Sequence, residues 1–213
     1  MGRPTLRGAL DSVAAQSWRP LEIVLVDAAG SGIGIKDHGR IPVRVAGRGP
    51  LDRPRAANAG LVAARGAWIA FLDEDDTIEP DHIASLVAVA SVAGLPVAYS
   101  QTRLVDASGA GRVFGGPFSR EALLRSNYMA IHAVLFHRSF VDQGVRFDES
   151  LATFEDWDFW LQLAARTDFA FSGQPTAVYR AAAGGSGAGT GANLDREAVL
   201  AQRERLMRKW QGS

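Results

Sequence analysis

The chain has 213 residues, of which 47% are apolar and 22% charged, so it can bury one sizeable α/β core and is not wholly disordered. Lys plus Arg and Asp plus Glu number 23 each, so the sequence lacks the basic excess of a nucleic-acid-binding or membrane-surface protein. The absence of cysteine excludes disulfides, thiolate metal sites and a cysteine nucleophile, and fits a cytoplasmic location.

The first half of the chain alternates helices with short apolar runs that are typical of buried strands. In chain order, the sequence predicts a helix from residue 6, strands at 22–26 and 43–46, a helix at 54–64, a strand at 67–72 and a helix from residue 80. This order predicts an α/β fold with a mostly parallel sheet flanked by helices.

Acidic residues follow both apolar strands of this half. Asp27 ends the first, and the run Asp73-Glu74-Asp75-Asp76 ends the second. In parallel α/β sheets, ligands bind beyond the carboxyl ends of the strands. We therefore expect both groups of carboxylates to face one crevice.

The second half is less regular. It predicts a hairpin of 97–105 with 112–114, a strand at 131–136, a helix from residue 155, a short strand at 177–180, a glycine-rich loop at 181–192 and a helix at 195–210. We expect one domain over residues 1–213, with a nucleotide-binding half at 1–100, an acceptor and catalytic half at 101–180, and a mobile loop and helix at 181–213.

The sequence shows neither a signal peptide nor a membrane span. The chain begins with Met1-Gly2-Arg3-Pro4, which leads directly into an amphipathic segment. The longest uncharged run, at 82–102, contains Gly94 and Pro96, so it predicts a core helix followed by a strand.

Two acidic motifs are candidates for chemistry. Several carboxylates at one point repel each other unless a cation neutralises them, so Asp73–Asp76 predict a Mg²⁺ or Mn²⁺ site, although a solvated turn that caps the next helix is an alternative. Glu155-Asp156 precede an aromatic helix and could supply a general base, although acids are also favoured in a first helical turn by the helix dipole.

Arg53, Arg55 and Asn58 surround the start of the 54–64 helix, where guanidinium groups and a helix N-terminus suit a phosphate group. An exposed basic turn is the alternative. His132 and His137 give no clear metal signal, and the glycine-rich tract lacks the lysine and hydroxyl residue of a P-loop.

These motifs, taken in order, resemble the family 2 glycosyltransferases. The resemblance starts with Ala9–Gln16 and continues with Leu21–Asp27 and with Asn58-Ala59-Gly60 followed by the segment up to Asp76. Phe147-Asp148-Glu149, Glu155–Leu161 and Tyr179-Arg180 are similar to the segments that follow in that family.

The resemblance implies a GT-A-type fold and an inverting, hexosyltransferase-type enzyme that moves a sugar from a UDP-, GDP- or dTDP-sugar to a glycan or other hydroxyl acceptor. It implies that Asp73 and Asp75 form a DxD pair for Mg²⁺ or Mn²⁺, with Asp75 the direct ligand. Asp156, beside Glu155, would be the catalytic base. Asp27 would contact the nucleotide, together with Arg53, Arg55, Asn58, Asp73 and Glu74.

The sequence departs from the family pattern in three ways. Met1–Pro4 stand where the family's first β-strand has just ended, so we expect an exposed sheet edge that favours a homo-oligomer. Ala28 replaces a second acid after Asp27, and the QxxRW motif of processive members is absent. A non-catalytic GT-A-like binding module therefore stays an alternative, and a sugar nucleotidyltransferase is a weaker one.

Overall fold

A computed structural model describes residues 5–106, 111–180 and 195–211. The predicted glycine-rich loop at 181–192 lies outside the described residues, as do the first four residues and most of the predicted hairpin turn.

The first half contains every helix and strand that the sequence predicts. Its elements are α1 (Leu6–Ala14), β1 (Ile23–Asp27), β2 (Asp37–His38), β3 (Ile41–Arg48), α2 (Arg53–Ala63), β4 (Trp68–Ala70), β5 (Thr77–Ile78) and α3 (His82–Ala93). The two-residue strands β2 and β5 were not predicted, because so short a run carries no periodicity.

The second half contains β6 (Val97–Tyr99), β7 (Thr102–Val105), β8 (Gly111–Phe114), α4 (Arg120–Arg125), β9 (Val134–His137), α5 (Ser139–Asp142), α6 (Glu155–Ala164), β10 (Ala170–Phe171), β11 (Ala177–Arg180) and α7 (Arg196–Gln211). The predicted strand at 131–136 begins as a 3₁₀ turn over Ile131–Ala133. The uncharged run at 82–102 forms α3 and the strands that follow it. Among the described residues, no helix has both the length and the apolar character needed to cross a membrane.

The strands form mixed sheets, so the α/β class is confirmed but the prediction of a mostly parallel sheet is wrong. The strand orders are β1-β3-β2, β10-β6-β9-β4 and β5-β11-β7-β8. Strand β9 causes much of the difference, because it runs antiparallel to both β6 and β4 and lies between them. The 97–105 run also divides between two sheets, since β6 pairs with β9 and β10 while β7 pairs with β8 and β11.

The largest hydrophobic cluster lies around α6 and fixes the position of that helix. Phe159 and Trp160 on α6 are fully buried, and their rings contact Phe136 of β9 with centroid distances of 5.3 and 6.4 Å. Phe147, in the segment before α6, stacks on Phe159 with a centroid distance of 4.4 Å. Because these aromatic side chains bury large apolar areas, the first turn of α6 is held rigidly against the sheet.

Helix α7 docks on α6 through a buried carboxylate. Asp158 is fully buried and accepts hydrogen bonds from Trp210 Nε1 at 2.9 Å and Gln162 Nε2 at 2.8 Å. The ammonium group of Lys209 lies 2.9 Å from the carboxylates of both Asp158 and Asp148. A buried carboxylate needs a cation and donors of this kind, so α7 completes the core rather than extending into solvent.

Replacing Lys209 with Met should destabilise the fold, because the carboxylate of Asp158 then keeps only neutral donors. The side chain of Lys209 is 41% exposed, so we expect a loss of about 2 kcal/mol in the free energy of unfolding, less than for a fully buried pair. Urea unfolding followed by tryptophan fluorescence measures it.

Arg208→Met is the matched control, since Arg208 pairs only with the exposed Glu204 among the contacts described for it, and should cost less than about 0.5 kcal/mol. Equal losses in the two variants would show that the buried carboxylate does not depend on Lys209.

Candidate active site

The acidic loop after β4 brings three carboxylates together. One carboxylate oxygen from each of Asp73, Asp75 and Asp76 lies within 4.8 Å of the others. The backbone N–H of Asp76 donates to the carbonyl of Asp73 at 3.1 Å, which closes the loop into a tight turn. Hard oxygen ligands at this spacing fit Mg²⁺ or Mn²⁺.

Asp76 forms the buried side of this cluster and is only 2% exposed. It accepts a hydrogen bond from the backbone N–H of Arg180 at 2.8 Å, and its other oxygen lies 3.2 Å from Nδ1 of His132. Burial, together with the charges of Asp73 and Asp75, raises the pKa of Asp76 to about 7, and the hydrogen bond from Arg180 opposes this effect. The negative charges of Asp73 and Asp75 therefore disfavour ionisation of Asp76, and a bound cation would relieve this repulsion.

His132, which the sequence left as a satisfied or exposed side chain, is only 1% exposed. Burial lowers its pKa to about 4, although the charge of Asp75 opposes this effect, so the ring is neutral near pH 7. It closes the inner side of the acidic cluster.

Arg53 joins the acidic loop to α6. Its Nη2 lies 3.1 Å from the Asp73 carboxylate, and its Nε donates to Glu155 at 2.8 Å. Burial alone would lower the pKa of Arg53, but the two carboxylates hold it above its ordinary value. A single guanidinium group thus links the first half of the chain, at 1–100, to the second half, at 101–180.

Asp156 lies beside Glu155 in the first turn of α6 and has no cation in direct contact among the described residues. Its Oδ1 accepts from the backbone N–H of Trp157 at 2.7 Å, and its Oδ2 accepts from Asn127 Nδ2 at 3.1 Å. Burial raises the pKa of Asp156 to about 7, and the charge of Glu155 adds to this effect. A carboxylate of this kind can take a proton from a hydroxyl near neutral pH.

The residue before this pair has an unusual backbone conformation. Phe154 caps α6 at φ 65° and ψ 18°, in the left-handed region that a residue with a bulky side chain rarely adopts. Its ring contacts Trp157 edge to face at a centroid distance of 5.8 Å. Strain of this kind often accompanies functional sites, and here it lies directly before Glu155, which bonds to Arg53.

Asp27 organises the loop that follows β1. It is 4% exposed and accepts hydrogen bonds from Ser31 N and Oγ, both at 2.9 Å, and from Gly32 N at 2.7 Å. The Ser31 N–H is the largest cause that holds the pKa of Asp27 below its usual range, against the effect of burial. The same loop is tied to the segment before α2, since Leu51 N donates to Ala28 O at 2.9 Å.

Two predicted phosphate-binding residues face the segment before α6. The amide group of Asn58 donates to Phe147 O at 3.0 Å and accepts from Phe147 N at 2.9 Å. Arg55 Nε lies 3.3 Å from Glu149 and pairs with Asp52 as well. Asp52 also caps α2 by accepting from Arg55 N at 3.1 Å, so the helix N-terminus already has an anionic partner.

The structure thus brings most of the predicted site residues to one place. Arg53 directly links Asp73 with Glu155, and Asp75 and Asp156 are their neighbours. The loop of Asp27 is tied to Leu51, just before α2, whose first residue is Arg53. The structure adds two residues that sequence reasoning had not assigned, His132 under the acidic loop and Asn127 beside Asp156. It also places Asp76, which the sequence named only as part of the acidic run, on the buried side of the cluster. No local motif marks Asn127.

Comparison with known proteins gives a sequence family. The sequence model described as "Glycosyl transferase family 2" matches residues 2–140. The "Succinoglycan biosynthesis protein ExoO" of Rhizobium meliloti (strain 1021) is 32% identical over 173 residues, which are 72% of this chain and 50% of that protein. The "Uncharacterized glycosyltransferase YwdF" of Bacillus subtilis (strain 168) is 25% identical over 170 residues, covering 76% of this chain and 63% of that protein. The chain therefore spans about half to two thirds of the length of these relatives.

Solved structures share the fold. The S. aureus TarS 1-349 structure in complex with UDP-GlcNAc matches 94% of this chain and 61% of its own, with a TM-score of 0.70 and 15% identity. The same protein in complex with UDP gives a TM-score of 0.68 at 18% identity, over 95% of this chain and 60% of its own. These matches confirm the expected GT-A-type fold.

Asn58→Ala should destabilise the protein, because it removes both bonds between α2 and the Phe147 backbone. We expect a loss of about 2 kcal/mol in the free energy of unfolding. Arg55→Ala should lose less than about 0.5 kcal/mol, since its ion pairs are about half exposed. Urea unfolding and UDP titration on both variants measure this. Weaker UDP binding in Asn58→Ala with unchanged stability would contradict a positioning role and favour direct contact with the donor.

Proposed function

The chain belongs to glycosyltransferase family 2, and on that premise we propose that it transfers a sugar from a nucleoside diphosphate sugar to an acceptor hydroxyl with inversion at the anomeric carbon. The main observation that supports this proposal is that Arg53 pairs with both Asp73 and Glu155, so that the acidic loop and the first turn of α6 lie side by side. The acidic loop suits a diphosphate with its cation, and the first turn of α6 suits a general base. An inverting transfer requires these two functions on opposite sides of the sugar.

Asp156 is the proposed base. Its carboxylate takes the proton of the acceptor hydroxyl while that oxygen attacks the anomeric carbon. The bond from the anomeric carbon to the diphosphate oxygen breaks on the opposite face, and its electron pair leaves with the diphosphate. The raised pKa of Asp156, about 7, suits this role because proton transfer is most effective when the pKa of the base is near the working pH.

The diphosphate side is proposed at Asp73, Asp75 and Arg53. Asp75 and Asp73 would hold Mg²⁺ or Mn²⁺, which neutralises the charge on the leaving diphosphate when bound. Asp76 supports Asp73 and Asp75 on the buried side of the cluster, where it contacts Arg180 and His132. Arg53 is half exposed and can turn from its carboxylates toward the phosphate oxygens.

The remaining donor-binding residues are Asp27, Glu74, Arg55 and Asn58. We propose that Asp27 acts mainly by shaping the loop at 28–33, since both of its oxygens accept hydrogen bonds from that loop. Arg55 and Asn58 reach the donor only if their contacts with the 147–149 segment change.

The comparisons guide the choice of substrates to test. UDP and UDP-GlcNAc are bound by the TarS structures, so UDP-sugars are the first donors to test, followed by GDP- and dTDP-sugars. The relative named for succinoglycan biosynthesis favours a glycan acceptor. A cytoplasmic location and a homo-oligomer stay predictions.

Asp156→Asn should lower the transfer rate by about a thousandfold, because the amide cannot accept the hydroxyl proton. Isothermal titration should show unchanged UDP binding, since this residue lies on the acceptor side. Transfer to a glycan acceptor panel with Mn²⁺ measures the rate. Full activity in this variant would remove Asp156 as the base, and UDP-sugar binding with no transfer by the wild type would favour the non-catalytic binding module.

Asp75→Asn should weaken Mn²⁺-dependent UDP binding by about tenfold or more, because a neutral amide replaces a charged ligand. Titration of UDP with Mn²⁺ and with EDTA compares the variant with the wild type. Glu79→Gln is the control, since Glu79 pairs with Arg103 outside the cluster. Equal affinity with Mn²⁺ and with EDTA in the wild type would contradict the metal site.

The rate should rise with pH through about 7, because Asp156 must be ionised to act and burial raises its pKa to that value. Transfer assays between pH 5.5 and 8.5 should show a single acidic limb with a midpoint near pH 7. A limb near pH 4, the ordinary range for an aspartate, would show that the base is a solvated carboxylate instead.

A further inference from the structure

The candidate base is held by a side chain outside every motif of the family resemblance. Asn127 lies in the segment between α4 and β9, and its Nδ2 lies 3.1 Å from Oδ2 of Asp156. The two residues are 29 positions apart in the sequence. We propose that Asn127 is a positioning residue, whose amide holds the Asp156 carboxylate in the orientation from which it accepts the acceptor's proton. This inference rests on the proposed function.

The orientation of the Asn127 amide is determined by its other contact. Its Oδ1 accepts the backbone N–H of Met129 at 3.1 Å, and a backbone N–H can only donate. The oxygen must therefore face Met129, which leaves the Nδ2 group to face Asp156. Met129 is 3% exposed and belongs to the main core, so the anchor of this amide is rigid.

The other side of the carboxylate is fixed equally well. Oδ1 of Asp156 accepts from the backbone N–H of Trp157, whose indole Nε1 donates to Leu123 O of α4 at 2.7 Å. Trp157 and Leu123 are buried. Each carboxylate oxygen thus has one donor on a rigid element, and each keeps a lone pair for a hydroxyl.

The charges near Asp156 make a neutral donor the appropriate partner. Glu155 on the same helix and Asp73 on the acidic loop are negative, and Arg53 between them is positive. The Arg53 guanidinium is engaged by those two acids, so it does not form the direct contact with Asp156. An amide orients the carboxylate and stabilises its charge modestly, whereas a contacting cation would weaken it as a base.

Two variants separate the two contacts of Asn127. Asn127→Ala removes both, whereas Asn127→Asp keeps an oxygen for Met129 but loses the donor to Asp156 and adds a like charge. Tyr128→Phe is the control for loosening of the same segment, since the contacts described for the Tyr128 hydroxyl are with the Ser119 backbone and the Tyr99 side chain, and not with Asp156.

The experiment measures transfer from UDP-GlcNAc with Mn²⁺ between pH 5.5 and 9. With Asn127→Ala, we expect kcat to fall about tenfold, the donor KM to stay unchanged and the acidic limb to move up by about half a pH unit. With Asn127→Asp, the limb should move up by about one unit or more. Tyr128→Phe should match the wild type. If Asn127→Ala and Asn127→Asp keep the wild-type limb and kcat, the proposal is overturned.

A second measurement does not depend on turnover. Protein labelled with ¹³C at the aspartate carboxyl carbon gives the titration of Asp156 by NMR, with the resonance assigned by its loss in Asp156→Asn. An upward shift of the midpoint in Asn127→Ala supports the contact, and an unchanged midpoint overturns it. If no donor supports transfer, the proposed function fails while this titration still decides the role of Asn127.

Discussion

The guanidinium group of Arg53 lies between Asp73, at the end of a strand, and Glu155, at the start of a helix. Without a cation at this point, the acidic loop and the first turn of α6 would repel each other, since each presents more than one carboxylate. The pairing holds the two halves of the site together in the absence of donor. Because the Arg53 side chain is 56% exposed, it can leave these partners when a diphosphate and a metal ion provide other charges.

The scaffold around this pairing is rigid where the chemistry requires fixed positions. The aromatic stack of Phe147, Phe159 and Phe136 holds α6 against β9, and α7 packs on α6 by bonding to the buried Asp158 near the start of that helix. The first turn of α6 therefore has a fixed position. Its N-cap residue, Phe154, adopts the strained left-handed backbone conformation. Preorganisation of this kind keeps a general base within reach of its proton without reorganisation during the reaction.

Local sequence patterns were sufficient to predict the main helices and strands of the first half of the chain. Asp73 and Asp156 could be found because one follows an apolar strand and the other starts an aromatic helix. The insertion of β9 between β6 and β4 could not be predicted, since strand pairing depends on contacts between distant segments. The same limit applies to Asn127 and to the pairing of Lys209 with Asp158. A lone amide in a loop has no periodicity or spacing that reveals its partner.

Glu155 and Asp156 are adjacent acids that lie in different environments. The sequence named both as catalytic, but their partners differ. Glu155 is 5% exposed and bonds to the Arg53 guanidinium, so its charge is neutralised. Asp156 has two neutral N–H donors, and burial raises its proton affinity. Since acid–base roles follow from such contrasts in environment, the position of one guanidinium group favours Asp156 over Glu155 as the proposed base.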